Sequence, residues 1–242
     1  MAHASASRRF PGGPVLAIAL TMARAAGLAV LAVLWGCVPL VVDSDLTRDQ
    51  AVYANQPPDV DWRVQAQLVV VSVRYWGFDG GLHQGQLVVH RALAADVRAV
   101  FEVIEHTHFP IESVLPIAHP LIQAKGPWGL SSDTGNTSAW VWRAITGHDY
   151  LSLHALGLAV DINPRLNPYI KGDLVIPAGS VHDPSRPGAL TRDGPVVAAF
   201  RRLGWEWGGD WTEDGAGGRT DWMHFQKIPP ELADWVRRTR GL

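Results

Sequence analysis

Cysteine is nearly absent: Cys37 is the single one in 242 residues. A lone cysteine excludes a disulfide framework within the chain and a cysteine-based metal site. Charge is also sparse, at 18% of residues, and the net charge is −2 with no basic block, so nucleic acid is not an expected partner. The sequence shows no internal repeat and no low-complexity tract. Apolar residues, at 47%, mark a globular chain and exclude a disordered one. The length suffices for one well-packed domain plus extras, or two small domains. Tryptophan is abundant, at 11 residues against 4 Tyr and 6 Phe. Much of it must be core, and some is available to line a groove.

No acidic residue occurs before Asp43. Arg8, Arg9 and Arg24 come first, and then the most apolar run, "AAGLAVLAVLWGCVPLVV" over 25–42. A basic start followed by an apolar run reads as an export signal, and the run also approaches membrane-spanning length. "LWGC" (34–37) resembles a lipobox, in which the cysteine after Gly is lipidated. Three readings stay open: a lipoprotein anchored through Cys37, an uncleaved membrane anchor, and an ordinary signal peptide, with Met22 as a second candidate start. All three place the remainder outside the cytoplasm. The expected organisation is 1–42 as export signal or anchor, 43–62 as a polar linker or an arm laid on the domain, and 63–242 as the folded domain.

Within that domain, 66–80 is rich in β-formers and "GQLVVH" (85–90) follows across Asp79-Gly80-Gly81, so a hairpin is expected. Residues 91–108 place Leu93, Val97, Val100, Phe101 and Ile104 on one helical face, and Phe109-Pro110 ends that helix. "GPWGLSSDTGNTS" (126–138) reads as a loop. "PVVAAFRRLG" (195–204) has Pro at a helical start and Gly at its stop, and 229–240 closes the chain as a helix. The fold class is α+β, with helices packed on a small antiparallel sheet.

"SLHALGLAVDINP" (152–164) sets His154 seven residues before Asp161 in an otherwise apolar run. Gly157 breaks any helix, and "LAVDIN" then alternates as a strand does, so Leu158, Val160 and Ile162 share one face while Ala159, Asp161 and Asn163 share the other. His154 lies just before the turn and can return over the Asp161 face. A metal is the simplest reason to gather a histidine and a carboxylate there. "GGDWTEDGAGGRTDWMHFQK" (208–227) offers a third ligand, His224, with Asp221 three residues before it. Each residue alone has a bland reading, as a hydrogen-bonded core histidine or a turn aspartate. Their combination favours a site. His90 and His119 read as structural.

These residues resemble those of a known family. "SLHALGLAVDINP" matches the S-x-H-x-x-G-x-A-x-D pattern of the VanY-type zinc D-Ala-D-Ala carboxypeptidases, a family that includes L-alanyl-D-glutamate endopeptidases. "DWMHF" resembles the D-x-x-H that completes the site, and "NTSAWVWR" (136–143) the segment carrying the family's arginine. The resemblance runs through 66–228 in the right order. It implies a compact zinc peptidase fold shared in outline with the hedgehog signalling domain. It implies Zn2+ held by His154, Asp161 and His224, Asp221 as the base, Arg143 beside the oxyanion, and Ser152 orienting the loop or touching substrate. The chain departs from the pattern at Trp142, and at Asp221, whose short carboxylate must reach the water. The implied substrate is a peptidoglycan stem peptide. Two Gly-rich loops bearing Trp128 and Trp211, with Arg219 as their only cation, suit a peptide running through, and Asn167-Pro168-Tyr169 resembles the endopeptidase branch. L-Ala-D-Glu endopeptidase is therefore preferred over D-Ala-D-Ala carboxypeptidase. A zinc-stabilised wall-binding protein without catalysis is the alternative from another class.

Overall fold

Residues 39–126, 135–145, 148–211 and 218–242 are described, from a computed structural model. The chain divides after Cys37, and everything below concerns the unit that begins at Val38. Cys37, the apolar run as far as residue 38, and Trp128 lie outside the described residues.

A short strand, β1 (Leu40–Val42), comes first, followed by two one-turn helices, α1 (Arg48–Val52) and α2 (Trp62–Gln65). The stretch expected as a linker is thus partly helical. Thr47 and Gln50 close a capping box on α1, the Asp61 carboxylate accepts from Arg63 N–H at the start of α2, and Ala51 and Val52 are buried. Local caps and two small apolar residues hold the arm on the domain, and these are too short to give a periodic signal.

The expected hairpin is present as β2 (Leu68–Gly77) and β3 (Leu82–His90). A 3-10 turn at Arg91–Leu93 leads into α3 (Ala94–His106), which buries Val97, Val100, Phe101 and Ile104. His90 caps that turn and His119 caps α4 (Pro120–Gln123), each accepting from a backbone N–H two residues on. Both are structural histidines, as expected. A short strand, β4 (Pro110–Ile111), lies between.

The second half contains β5 (Ala159–Asp161), β6 (Tyr169–Lys171), β7 (Leu174–Ile176), α5 (Pro195–Arg202), β8 (Glu206–Trp207), β9 (Arg219–Asp221), β10 (His224–Gln226) and α6 (Ala233–Arg240). The fold is mixed α+β, but the single antiparallel sheet expected from sequence is instead three small sheets. The first has the order β1-β3-β2-β4, with β1 parallel to β3 and β4 parallel to β2. The second is β5-β10-β8 and the third β7-β6-β9, both antiparallel. Their strands are only two or three residues long, and apart from the β6–β7 hairpin they pair across larger sequence separations, which periodicity does not register. A common core joins the hairpin to the second sheet through Tyr75, Leu87, Phe101, Val160, Ile162, Phe200 and Phe225. The Phe200 and Phe225 rings stack with centroids 3.9 Å apart. No helix among the described residues is long and apolar enough to cross a membrane.

Candidate metal centre

The second sheet brings the site together by register. Asp161 on β5 stands directly opposite His224 on β10, so both side chains project from one face of the sheet. The 137–141 segment runs along the other edge of β5, with reciprocal backbone bonds between Ser138 and Asp161 at 2.8 and 3.1 Å. His154 sits on a 3-10 turn, Leu153–Leu156, and comes back over that face.

Gly157 ends the turn at φ +67, and a Cβ there would meet His90 N at 2.6 Å. Only glycine takes this conformation readily at so close an approach. The turn is held further by Trp140 Nε1–H donating to Ala155 O at 3.1 Å. Ser152 is buried, and its hydroxyl oxygen accepts from His154 N–H at 3.3 Å. It caps this turn and so orients the loop that carries His154.

His154 Nε2 lies 3.2 Å from Asp161 Oδ2 and 3.1 Å from His224 Nδ1, and His224 Nδ1 lies 3.1 Å from Asp161 Oδ1. His154 is 1% exposed and His224 7%, and among the described residues they and Asp161 are the one group placed to hold a metal ion. The outer partners assign the protons. His154 Nδ1 faces the Ala139 carbonyl oxygen at 2.5 Å, an acceptor only, so Nδ1 carries the proton. His224 Nε2 faces Gln226 Oε1 at 3.1 Å, and that amide is oriented because its Nε2 donates to Glu206 Oε2 at 2.7 Å. The neutral His224 ring therefore carries its proton on Nε2. Both inward nitrogens then present lone pairs to each other and to an anionic carboxylate. Three acceptors converging at hydrogen-bond distance call for a cation, and two imidazoles with one carboxylate are a donor set that suits zinc.

Burial disfavours charge on His154 and lowers its pKa. Burial would raise Asp161, but the two imidazoles beside it win and hold its carboxyl far below the ordinary range. For His224, burial is outweighed by the hydrogen bond and charge of Asp161, with Asp221 behind, and the pKa is raised, so a metal entering the site competes with a proton for Nδ1.

Asp221, on β9, is pushed up to about 7, chiefly by burial, and its Oδ1 has no hydrogen-bond partner among the described residues. Gly208 lets it fit, since a Cβ there would meet Asp221 O at 2.5 Å. The half-buried Arg143 donates to Ala144 O at 3.3 Å, and its charge is felt at both His154 and Asp221. Asp221 and Arg143 therefore border the cluster without belonging to it.

Sequence reasoning missed Ala139 and Gln226, which fix the tautomers. Gln226 had a signal: it is two residues after His224, on the same strand face. Asn163 and Asn167 turn out to be scaffold. Asn163, at φ 44, accepts from Glu112 N–H and donates to Pro110 O and Gly188 O, and Asn167 donates to Gly188 O and accepts from Leu190 N–H.

Residues 146–227, about a third of the chain, match the family model described as D-alanyl-D-alanine carboxypeptidase. The match spans His154, Asp161, Asp221 and His224 and begins three residues after Arg143. No curated protein and no solved structure gives a match.

Proposed function

We propose that the chain is a zinc-dependent peptidase acting on peptidoglycan stem peptides, and that it releases C-terminal D-Ala. The convergence of three acceptor atoms from His154, Asp161 and His224 carries this reading, and the carboxypeptidase family match over the same residues supports it. The preference for an endopeptidase rested on two loops, of which 127–134 and 212–217 lie outside the described residues. It also rests on Arg219 as the only cation of those loops, and strand pairing sets Lys171, from outside them, opposite it.

A bound zinc ion would supply Lewis acidity and lower the pKa of a coordinated water to about 7. Asp221, half-buried with an Oδ1 that is buried and unpaired, is the group that takes the proton and later returns it to the leaving amine. Arg143 stabilises the oxyanion, an effect worth about 3 to 4 kcal/mol for one comparable donor. His154 and His224 are kept as neutral donors by Ala139 and Gln226. The work is done outside the cytoplasm, with the chain held at the membrane by its N-terminal segment or by lipid on Cys37. Loss of a fatty-acid label in Cys37→Ser tests the lipid anchor, and unlabelled wild-type protein free in the medium would exclude both anchors.

The test is digestion of a stem pentapeptide by the zinc-loaded chain, with products identified by mass. Free D-Ala is the expected small product. A stem peptide cut from its L-Ala would establish the endopeptidase instead. Retained zinc with no product would leave the wall-binding reading. Asp221→Asn should keep zinc and lose turnover by about 100-fold or more, and full turnover in that variant would overturn the base assignment.

A further inference from the structure

β9 and β6 pair antiparallel, with Asp221 opposite Tyr169 and Arg219 opposite Lys171. Residues two apart on a strand share a face, and so do residues directly opposite. Arg219 and Lys171 thus stand on the same face of the sheet as Asp221, which borders the metal centre. Two cations directly opposite repel, and an anion held between them removes the repulsion.

Arg219 is held in place from below. Its Cζ lies 5.0 Å from the centroid of the Trp211 ring, and that ring lies 5.4 Å from the His224 ring. The guanidinium therefore sits one aromatic ring away from a metal-centre histidine, close enough for its charge to be felt at Asp221. Its Nε is buried and has no hydrogen-bond partner among the described residues. Arg63, Arg74, Arg201 and Arg237, by contrast, are each paired to a carboxylate. Nε–H together with one Nη–H forms the side-on fork that a carboxylate accepts with both oxygens. A buried donor of that kind costs stability until it is paired.

We propose that Arg219, seated on Trp211 and backed by Lys171, reads the free carboxylate that ends the substrate. It is a specificity-determining residue, and the assignment rests on the peptidase reading above for its substrate. The spacing suits the role. Along β9, Arg219 and Asp221 are about 6.6 Å apart, and a terminal carboxylate lies one residue, about 3.3 to 3.6 Å, beyond the scissile carbonyl. The remainder is within the reach of an arginine side chain. Lys171, exposed on the neighbouring strand, adds attraction at longer range.

The experiment compares a stem pentapeptide bearing a free C-terminal carboxylate with its C-terminal amide. Both are given to the zinc-loaded full chain and to Arg219→Gln, Arg219→Lys and Lys171→Gln. Binding of the same two peptides is measured by calorimetry alongside turnover. The wild type should favour the acid over the amide. Arg219→Gln should raise KM and Kd for the acid by about 10- to 100-fold, leave the amide unchanged, and hold zinc as the wild type does. Arg219→Lys should recover part of the loss, and Lys171→Gln should show a smaller one. An acid-to-amide ratio that is the same in wild type and Arg219→Gln overturns the proposal. No turnover of either peptide by the wild type would count against the peptidase reading alone, because the acid-over-amide ratio in binding still decides the role of Arg219.

Discussion

Gln226 and the Ala139 carbonyl decide what the two histidines can do, because each takes the outer proton and leaves the inner nitrogen bare. Gln226→Leu removes that acceptor and lets His224 carry its proton on the nitrogen that faces Asp161. Zinc affinity should fall by about 10- to 100-fold, as for other outer partners of metal-bound histidines, with no change in the unfolding midpoint of the metal-free chain. Competition with a chromophoric chelator measures it, and an unchanged affinity would show that Gln226 sets no tautomer. His90 gives a prediction away from the site. Burial, and then the charge of Arg91, lower its pKa from 6.5 to about 4, and its Nε2 is buried without a partner. The folded state therefore holds His90 neutral where the unfolded chain would protonate it. Stability should be fully present above about pH 6.5 and drain away as the pH falls towards about 4. His90→Asn keeps a cap acceptor and cannot titrate, so its urea midpoint should lose that part of the slope. A slope identical to the wild type would mean His90 is not the group responsible. At this scale the sequence was legible for the meeting of His154, Asp161 and His224, because a metal-capable residue in an apolar strand stands out. Arg219 with Lys171 was not legible, since their pairing depends on a register between strands 48 residues apart.

The turn between His154 and β5 is the element on which the site depends. Gly157 combines a left-handed φ of +67 with a close approach to the end of β3, and its carbonyl accepts from His90 N–H at 2.9 Å. Gly157→Ala adds backbone strain of about 1 to 3 kcal/mol and a clash with His90 N. The expected outcome is a lower melting temperature together with weaker zinc binding, because His154 rides on the displaced turn. Thermal unfolding with and without zinc checks it. A stability loss with unaltered zinc affinity would separate the turn from the site. The long elements were legible. The hairpin carries turn residues between two β-rich runs, and α3 repeats its apolar positions at helical spacing, all of them buried. The second and third sheets and the helices of the arm over 40–65 were not, because strands of two or three residues and one-turn helices carry no period to read.

Across the whole molecule, the core ties the hairpin to the sheet that holds Asp161 and His224, so the metal centre rests on the most buried part of the chain. That arrangement favours a rigid site over one that assembles on binding. The central claim is that His154, Asp161 and His224 together hold one zinc ion. X-ray absorption at the zinc edge of the loaded chain tests it most directly. The expected spectrum is four-coordinate, with two imidazoles and oxygen donors at about 2.0 to 2.2 Å, reduced to one imidazole or lost altogether in His224→Ala. A zinc spectrum without imidazole scattering, or one that is the same in wild type and His224→Ala, would contradict it.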